Sequence, residues 1–364
     1  MLGLVLVLIV AASPGCRSVV PPPVLFSPAD VAAALTQAIR ADDKTAYDAL
    51  FVGDSNAGSR AWTWQNLIAL PQVSFTASPD DTLVATWRVS NDSGSATHHV
   101  GLITCADTTC GLADIGPQPS WPAPLWAVQP LNMQVRGNAT VLAADGAATT
   151  SDWLAAGAAA HKAVQAANLG VLAAGWDGGL VIELPQNAAA LGHLLAHSGV
   201  TAGASTGAFT WVENTGSPNL PGAVRTVVNP SQAGLSSDAQ QLLITHEAVH
   251  VATANWTVAP GSLWVSEGLA ESVAVAGDAS AASAESDLAH AQCQPAGLAS
   301  PSDDALAAGS AADQTKAYAV AQVLVSLIRS HQGASAMSTI KALGQGEPVA
   351  DIKLANWSRT WCQH

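Results

Sequence analysis

The spacing of apolar side chains predicts the first elements of this chain. Between residues 30 and 51 apolar side chains recur at helical intervals, which indicates a helix. Runs at 73–77, 82–89 and 98–105 predict strands, because turn-forming Pro, Asp, Asn and Gly separate them. A helix followed by an antiparallel meander predicts a small α+β module over residues 29–125.

A different pattern begins beyond a boundary rich in Pro and Trp at residues 117–126. From residue 236 onward the spacing is almost wholly helical, whereas the stretch before it mixes helices with short strands. Helices are predicted at 151–169 and 187–197, and strands at 180–184, 209–213 and 224–228. The chain is therefore expected to be α+β, with the small helix-plus-antiparallel-sheet module preceding a mainly helical domain at 126–364. In its order of elements the module resembles the helix-on-curved-sheet folds of the nuclear-transport-factor-2 type.

The first residues are expected to direct export. Leu2 to Ala12 form an unbroken apolar run, which is too short to span a bilayer but suits the core of a secretory signal. The next residues, Ser-Pro-Gly followed by Cys16, resemble the lipobox of bacterial lipoproteins. This resemblance implies a signal peptide at 1–15, acylation of Cys16 and a lipid-tethered linker at 16–28. The protein is then expected outside the cytoplasm, anchored to the cell membrane, with an ordinary cleaved signal as the alternative.

Cysteine usage agrees with export. The chain has five Cys, and four remain when Cys16 is set aside for the lipid. An even number of Cys in an oxidising compartment favours disulfides. Three pairings are conceivable, and proximity in sequence selects Cys105 with Cys110 and Cys293 with Cys362.

Composition and charge narrow the class of function. The chain has 364 residues, of which 49% are hydrophobic and 11% charged, so it can bury a substantial core. Its net charge is −14, and a surface of that sign repels phosphate backbones. Nucleic acid is therefore not expected among its partners. The adjacent His98 and His99 are expected to be exposed on their strand rather than to be metal ligands.

The most informative segment is a His-Glu-x-x-His pattern in the helical region. A capping-box pattern from Ser237 to Gln240 predicts that a helix begins there. His246 and His250 then lie one turn apart on the same face, and both imidazoles can reach one zinc ion at about 2.1 Å. Glu247 is rotated away from the ligand positions and is placed to act as a general base on a water molecule.

A second motif follows after a short loop, where residues 263–271 read LWVSEGLAE. It resembles the Trp-x-x-Glu-Gly-x-Ala signature of gluzincin zinc metallopeptidases, in particular the peptidase-MA-like group. The resemblance implies that Glu267 is the third zinc ligand, on a helix packed against the first. It also implies that Glu271 orients a ligand imidazole and that the domain at 126–364 is zincin-like.

Tyr318 lies in a further predicted helix, after both motifs. In peptidase-MA-like proteins a Tyr in a similar helix returns to the cleft, so the resemblance implies that Tyr318 donates a hydrogen bond to the oxyanion. The alternative is a Tyr that is half-buried between helices.

Zinc-dependent hydrolysis of a peptide or protein substrate is therefore the expected function. The strand at 209–213 or the strand at 224–228 is a candidate to hold an extended peptide by edge pairing. An aminopeptidase is one alternative, because Glu213-Asn214 partly matches the motif with which that branch holds a substrate amine. A non-catalytic envelope lipoprotein that binds a partner, with a structural or vestigial zinc site, is another. A cell-wall-directed hydrolase is the third.

Overall fold

Helices and strands both build this protein, as a computed structural model shows. The structure describes residues 27–53, 57–107, 109–118, 120–146, 150–196, 206–213, 222–349 and 352–364. It is 50% helical and 20% strand, with an antiparallel four-stranded sheet in the N-terminal part and a helical C-terminal region. The expected mixed fold class is therefore confirmed. The predicted signal peptide, Cys16 and nearly all of the predicted linker lie outside the described residues.

The N-terminal helical segment is broken into two helices, so the prediction of one helix over residues 30–51 is wrong. Helix α1 spans Pro28–Arg40 and begins at Ser27, whose side chain accepts a hydrogen bond from the Asp30 amide. Asp42 then adopts a left-handed backbone conformation, which ends the helix. Asp43 caps a second short helix, α2, at Lys44–Asp48. The apolar face of α1 packs on the first sheet.

The first sheet is an antiparallel meander in the order β1-β2-β3-β4. Its strands are β1 at Gln72–Ala77, β2 at Thr82–Arg88, β3 at Ala96–Ala106 and β4 at Thr109–Ile115. The first three strands were predicted; β4 and helix α3 at Ala57–Ala69 were not. Cys105 and Cys110 face each other across the β3–β4 hairpin and form a disulfide, as predicted.

A second sheet of five strands has the order β5-β6-β7-β9-β8. Its strands are β5 at Leu131–Arg136, β6 at Ala139–Ala144, β7 at Leu180–Leu184, β8 at Ala208–Val212 and β9 at Val224–Val228. Strands β6, β7 and β9 are parallel, whereas β5 and β8 run antiparallel to their neighbours. The hairpin of β5 and β6 was not predicted. Three helices lie in this region: α4 at Leu125–Val128, α5 at Thr150–Ala167 and α6 at Ala188–Leu195.

The second sheet is covered on both faces. Val141 and Ile182 belong to the core formed with the C-terminal helices, whereas Leu142 and Val181, their neighbours in sequence, belong to the core of the N-terminal module. This alternation explains why every residue of β6 is buried. The second sheet therefore packs between the N-terminal module and the C-terminal helices.

The C-terminal helices pack on the other face of this sheet. They are α7 at Ser237–Ala252, α8 at Leu263–Ala274, α9 at Ala279–His290, α10 at Asp303–Ala307, α11 at Ala311–Gln332, α12 at Ala336–Gly344 and α13 at Leu354–Trp361. The predicted disulfide between Cys293 and Cys362 is present and ties the segment after α9 to the end of α13. Among the described residues, no helix is both long enough and apolar enough to cross a membrane.

Candidate metal centre

Helix α7 carries the two histidines of the first motif on one face. Ser236 caps the helix by accepting a hydrogen bond from the Ala239 amide, so the cap lies one residue before the predicted Ser237. The helical rise then stacks His246 and His250 one turn apart. Their Nε2 atoms are 3.1 Å apart, so both rings point to a common site.

Helix α8 brings the carboxylate of Glu267 to the same point. Its Oε2 atom lies 3.1 Å from Nε2 of His246 and 3.3 Å from Nε2 of His250. Asp303, from α10, fixes the start of α8 by accepting hydrogen bonds from the amides of Gly261 and Leu263 at 2.7 and 3.1 Å. Asp303 was not predicted, because no local pattern links it to α8.

These three atoms form a nearly equilateral triangle that could hold a metal ion. Its edges of 3.1, 3.1 and 3.3 Å are set by the contacts between His246, His250 and Glu267. Ligands at the usual zinc distances of a tetrahedral site are about 3.4 Å apart, so a small ion fits the triangle. The donor set and its dimensions are therefore those of a three-ligand metal site.

The outer nitrogens of both rings also have partners. Nδ1 of His246 lies 2.8 Å from Oε2 of Glu271, and Nδ1 of His250 lies 3.5 Å from the hydroxyl of Ser266. When Nδ1 donates to a carboxylate, the proton is kept off Nε2, which leaves that nitrogen free to bind a metal. The structure therefore brings Glu271 to the ring that the second motif implies, and adds Ser266, which was not predicted.

Electrostatics at the site follow from these contacts. Burial opposes a charge on His246, but hydrogen bonds to Glu267 and Glu271 outweigh it and raise its pKa well above the usual value. Burial likewise opposes ionisation of Glu267, yet the charge of His250 and the hydrogen bonds to both rings hold its pKa far below the usual range. Glu267 is therefore ionised at neutral pH, and a proton and a metal would compete for the imidazole of His246.

A further carboxyl group, Glu285 of α9, lies behind Glu271 in the same cleft. Burial, then a hydrogen bond to Glu271 and its negative charge, raise the pKa of Glu285 to about 9. Against burial, the hydrogen bonds from His246 and Glu285 lower the pKa of Glu271 to about 2. Glu285 thus keeps its proton at neutral pH and donates it to Glu271. It lies in no recognisable motif, so sequence reasoning missed it.

Glu247 is buried beside the two histidines and is held by a residue from the second sheet. The hydroxyl of Thr210, on β8, donates to Oε2 of Glu247 at 2.8 Å and lies 3.2 Å from the Glu247 backbone carbonyl. Thr210 was not predicted, because it is 37 residues away in sequence and the contact depends on packing of β8 against α7. Oε1 is the carboxylate oxygen that Thr210 does not engage.

An open cleft of about 830 Å³ contains all of these groups, with walls from β8, α7, α8 and α11. Tyr318 of α11 is half-buried in this cleft, with its ring centroid 5.8 Å from that of His246. Burial and then the charge of Glu267 raise the pKa of Tyr318, so its hydroxyl remains a donor at neutral pH. Tyr318 is therefore brought to the cleft that holds the triangle.

Two expectations from the sequence concern Glu213 and His98, which do not line the cleft. Glu213 does not face the cleft: its Oε1 is 3.2 Å from Arg225 and its Oε2 is 3.0 Å from Nε2 of His98, while Asn214 lies outside the described residues. His98 is buried, and its Nδ1 accepts a hydrogen bond from Trp87, so the prediction of an exposed histidine pair is wrong for His98. The reason is that this face of β3 packs under the second sheet.

No protein-family model, curated protein or solved structure matches this chain. What the arrangement can do chemically is set by its donor atoms. Two imidazole nitrogens and a carboxylate oxygen surround a common point, and a second carboxylate and a phenol lie in the same cleft. Such a set can bind a divalent cation and move protons beside it.

Proposed function

We propose that this protein is a zinc-dependent peptidase of the gluzincin kind. Zinc would be held by His246, His250 and Glu267, with Glu247 as the general base. One observation carries the proposal: the triangle of ligand atoms and the carboxylate of Glu247 lie in the same open cleft. A structural metal site is normally closed by a fourth protein ligand, whereas a catalytic site stays open to solvent.

The donor atoms support zinc as the metal. Two imidazoles and one carboxylate suit zinc, whereas calcium and magnesium prefer sites built from oxygen alone. Zinc bound here would supply Lewis acidity, which lowers the pKa of a water molecule and polarises a carbonyl group.

The side chains around the site support distinct roles in hydrolysis. Glu247 takes a proton from the attacking water and returns it to the leaving amine. Tyr318 stays protonated and donates a hydrogen bond to the oxygen on which negative charge develops. Glu271 keeps the ring of His246 in the orientation and tautomer that metal binding needs.

We also propose that the protein acts at the outer face of the cell membrane, held by a lipid on Cys16. The support is the lipobox-like sequence before Cys16, together with two disulfides in the described part of the chain. Disulfides persist in oxidising compartments and are rare in the cytosol.

Replacing Glu247 by Gln tests the proposed base. The variant should retain zinc, measured by mass spectrometry, because Glu247 is not a ligand. Its hydrolysis of casein or a peptide library should fall by about a hundredfold or more. The matched control is Glu347→Gln, which makes the same change at an exposed position outside the cleft and should leave activity unaltered.

Wild-type activity should also disappear with a chelator and return with added zinc. Unchanged turnover in Glu247→Gln would remove Glu247 from the mechanism. Zinc-loaded protein that turns over no casein, peptide or peptidoglycan fragment would favour the non-catalytic lipoprotein. Turnover of peptidoglycan fragments alone would favour the cell-wall hydrolase.

A further inference from the structure

No Lys or Arg is among the described residues that line the cleft. The residues that line it lie between 206 and 318, and this stretch of sequence contains only two Lys or Arg residues, Arg225 and Lys316. Arg225 is fully buried behind β8, where Asp92 and Glu213 bind it at 2.8 and 3.2 Å. Lys316 points away from the cleft lining and is paired with Asp313 at 3.6 Å on the exposed side of α11.

Among the described residues, this distribution of charge leaves a substrate's terminal carboxylate without a Lys or Arg to bind it. Enzymes that recognise a chain's carboxyl end place a cation, usually Arg or Lys, where it can bind that carboxylate. The described cleft instead contains four glutamates, Glu247, Glu267, Glu271 and Glu285, of which Glu285 keeps its proton. A zinc ion would offset the charge of its ligand Glu267, but a negative charge placed beside Glu247 and Glu271 would still meet like charges, which costs free energy.

The amino end of a substrate also lacks a free carboxylate in the described cleft. Glu271 is engaged by His246, and Glu285 hydrogen-bonds to Glu271 and keeps its proton. Thr210 binds Oε2 of Glu247, and the proposed mechanism uses Oε1 for the attacking water, while Glu213 is bound by Arg225 and His98 outside the cleft. None of these carboxylates is placed to bind an α-ammonium group while its present contacts persist.

The cleft does offer backbone groups and apolar surface. Among the described residues, β8 pairs only with β9, so its other edge borders the cleft and is open to an extended chain. Strand β9 lies between β7 and β8, so it cannot serve this purpose. Phe209 of β8, with Leu242 and Leu243 of α7, lines the cleft beside that edge.

We propose that this cleft is an endopeptidase site, which cuts within extended segments that carry uncharged, apolar side chains next to the scissile bond. The proposal builds on the zinc peptidase function proposed above. Recognition would come from pairing with β8 and from burial of apolar side chains, both of which are independent of the chain's ends. Acidic residues beside the scissile bond would be excluded by the glutamates.

Peptides with free and blocked ends test the proposal. One decapeptide with Leu at its centre would be compared with its N-acetylated and C-amidated form. An enzyme that binds a charged end loses about tenfold or more when that end is blocked. We expect a smaller difference, with internal cleavage sites identified by mass spectrometry. A larger loss on blocking either end, or release of single terminal residues, would overturn the proposal.

Charge at the centre of the peptide gives a second comparison. Replacing the central Leu by Asp should lower kcat/KM by about tenfold or more, because the carboxylate meets like charges. Thr315→Lys adds a cation at the exposed rim of the cleft and should raise the Asp-to-Leu ratio of kcat/KM. Gln345→Lys adds the same charge at an exposed residue outside the cleft and should leave the ratio unaltered. Equal ratios in both variants would count against charge exclusion in the cleft.

A binding measurement shows whether a negative result refutes the endopeptidase site or only the proposed peptidase function. The Glu247→Gln variant, loaded with zinc, would be titrated with the blocked and the free decapeptide by calorimetry. Similar affinities for both peptides would support recognition that does not depend on the peptide's ends. If the wild-type protein binds both peptides but hydrolyses neither, only the proposed peptidase function is refuted. Binding of only the free peptide, or of neither, overturns the endopeptidase site.

Discussion

At the scale of single residues, Glu247, the proposed general base, is bound by a side chain from another layer of the fold. The hydroxyl of Thr210 has one hydrogen to donate, and it lies 2.8 Å from Oε2 of Glu247. A donor at that oxygen fixes the rotamer of the carboxylate and leaves Oε1 for a water molecule. In the proposed mechanism, Thr210 would therefore act on catalysis through Glu247 without touching the substrate.

Thr210→Val, which replaces the hydroxyl by a methyl group, tests this role. We expect kcat to fall by about tenfold to a hundredfold with little change in KM and in zinc content, as when other supporting hydrogen bonds are removed. Thr210→Ser keeps the donor and should restore most of the rate. An equal loss in the Ser and Val variants would indicate that packing of β8, and not the hydrogen bond, is what matters.

The sequence predicts the proposed metal ligands better than the residues around them. The spacing of His246 and His250 is a local property of one helix, so the pattern alone predicts that their rings meet. Glu267 required a second motif and the resemblance that it carries. Thr210 and Glu285 reach the cleft only through tertiary packing, and neither lies in a pattern with known chemistry. No periodicity could have indicated them.

At the scale of elements, the candidate metal centre depends on how closely α8 approaches α11. A Cβ atom added at Gly268 would collide with the backbone carbonyl of Ala321 and with the side chain of Val325. Gly268 therefore lets two helices pack at short distance, and Glu267 is its neighbour in sequence. The Gly of the second motif thus has a packing reason that is separate from metal binding.

Gly268→Ala should force α8 and α11 apart. Overpacking of this kind costs about 1–3 kcal/mol, so we expect a lower midpoint of thermal unfolding and weaker zinc binding. Gly192→Ala is the matched control, because that helical position in α6 has open space around it. Since Ala is the better helix former, the control should be neutral or stabilising by up to about 1 kcal/mol. Equal effects of both changes would contradict a special role for Gly268.

Helices and strands were predicted best where one pattern of apolar residues continued along the whole element. The strands at 180–184 and 224–228 were found as apolar runs, and β7 and β9 occupy those residues. The β5–β6 hairpin was missed although its turn contains Gly137, with φ of 58°. Its first strand is only partly buried and its second is buried on both faces, so the hairpin lacks the alternation that marks a half-buried strand.

At the scale of the whole molecule, a buried charge cluster joins the N-terminal module to the second sheet. Arg225 on β9 donates hydrogen bonds to Asp92, which follows β2. It also contacts Glu183 on β7 and Glu213, which follows β8. Its guanidinium also stacks 3.8 Å from the ring of Trp87. These residues are far apart in sequence and form no motif, so the cluster could not be predicted. Removing one partner would leave an unpaired charge in the interior.

The carboxylates of this cluster make stability depend on pH in opposite directions. Burial raises the pKa of Glu183 from 4.5 to about 7, with Arg225 opposing the shift. The folded chain therefore holds a proton that the unfolded chain releases, and stability falls as pH rises from 4.5 towards 7. Glu213 has its pKa lowered to about 2 by His98 and Arg225 against the effect of burial. Its contribution is present above pH 4.5 and is lost as pH falls towards 2.

Glu183→Gln tests the contribution of Glu183 separately from that of Glu213, because the amide resembles the protonated acid at every pH. Near pH 5 the variant and the wild-type protein should have similar unfolding midpoints, since folded wild-type protein already carries the proton. Towards pH 8 the wild-type protein must bury an ionised Glu183, so the variant should become relatively more stable by on the order of 1–3 kcal/mol. Thermal unfolding at several pH values, with exposed Glu347→Gln as control, measures this difference. If the difference in unfolding midpoint between variant and wild-type protein stayed constant from pH 5 to 8, Glu183 would be ionised over that whole range. Arg225 and its surroundings would then favour the charge on Glu183 more strongly than burial opposes it.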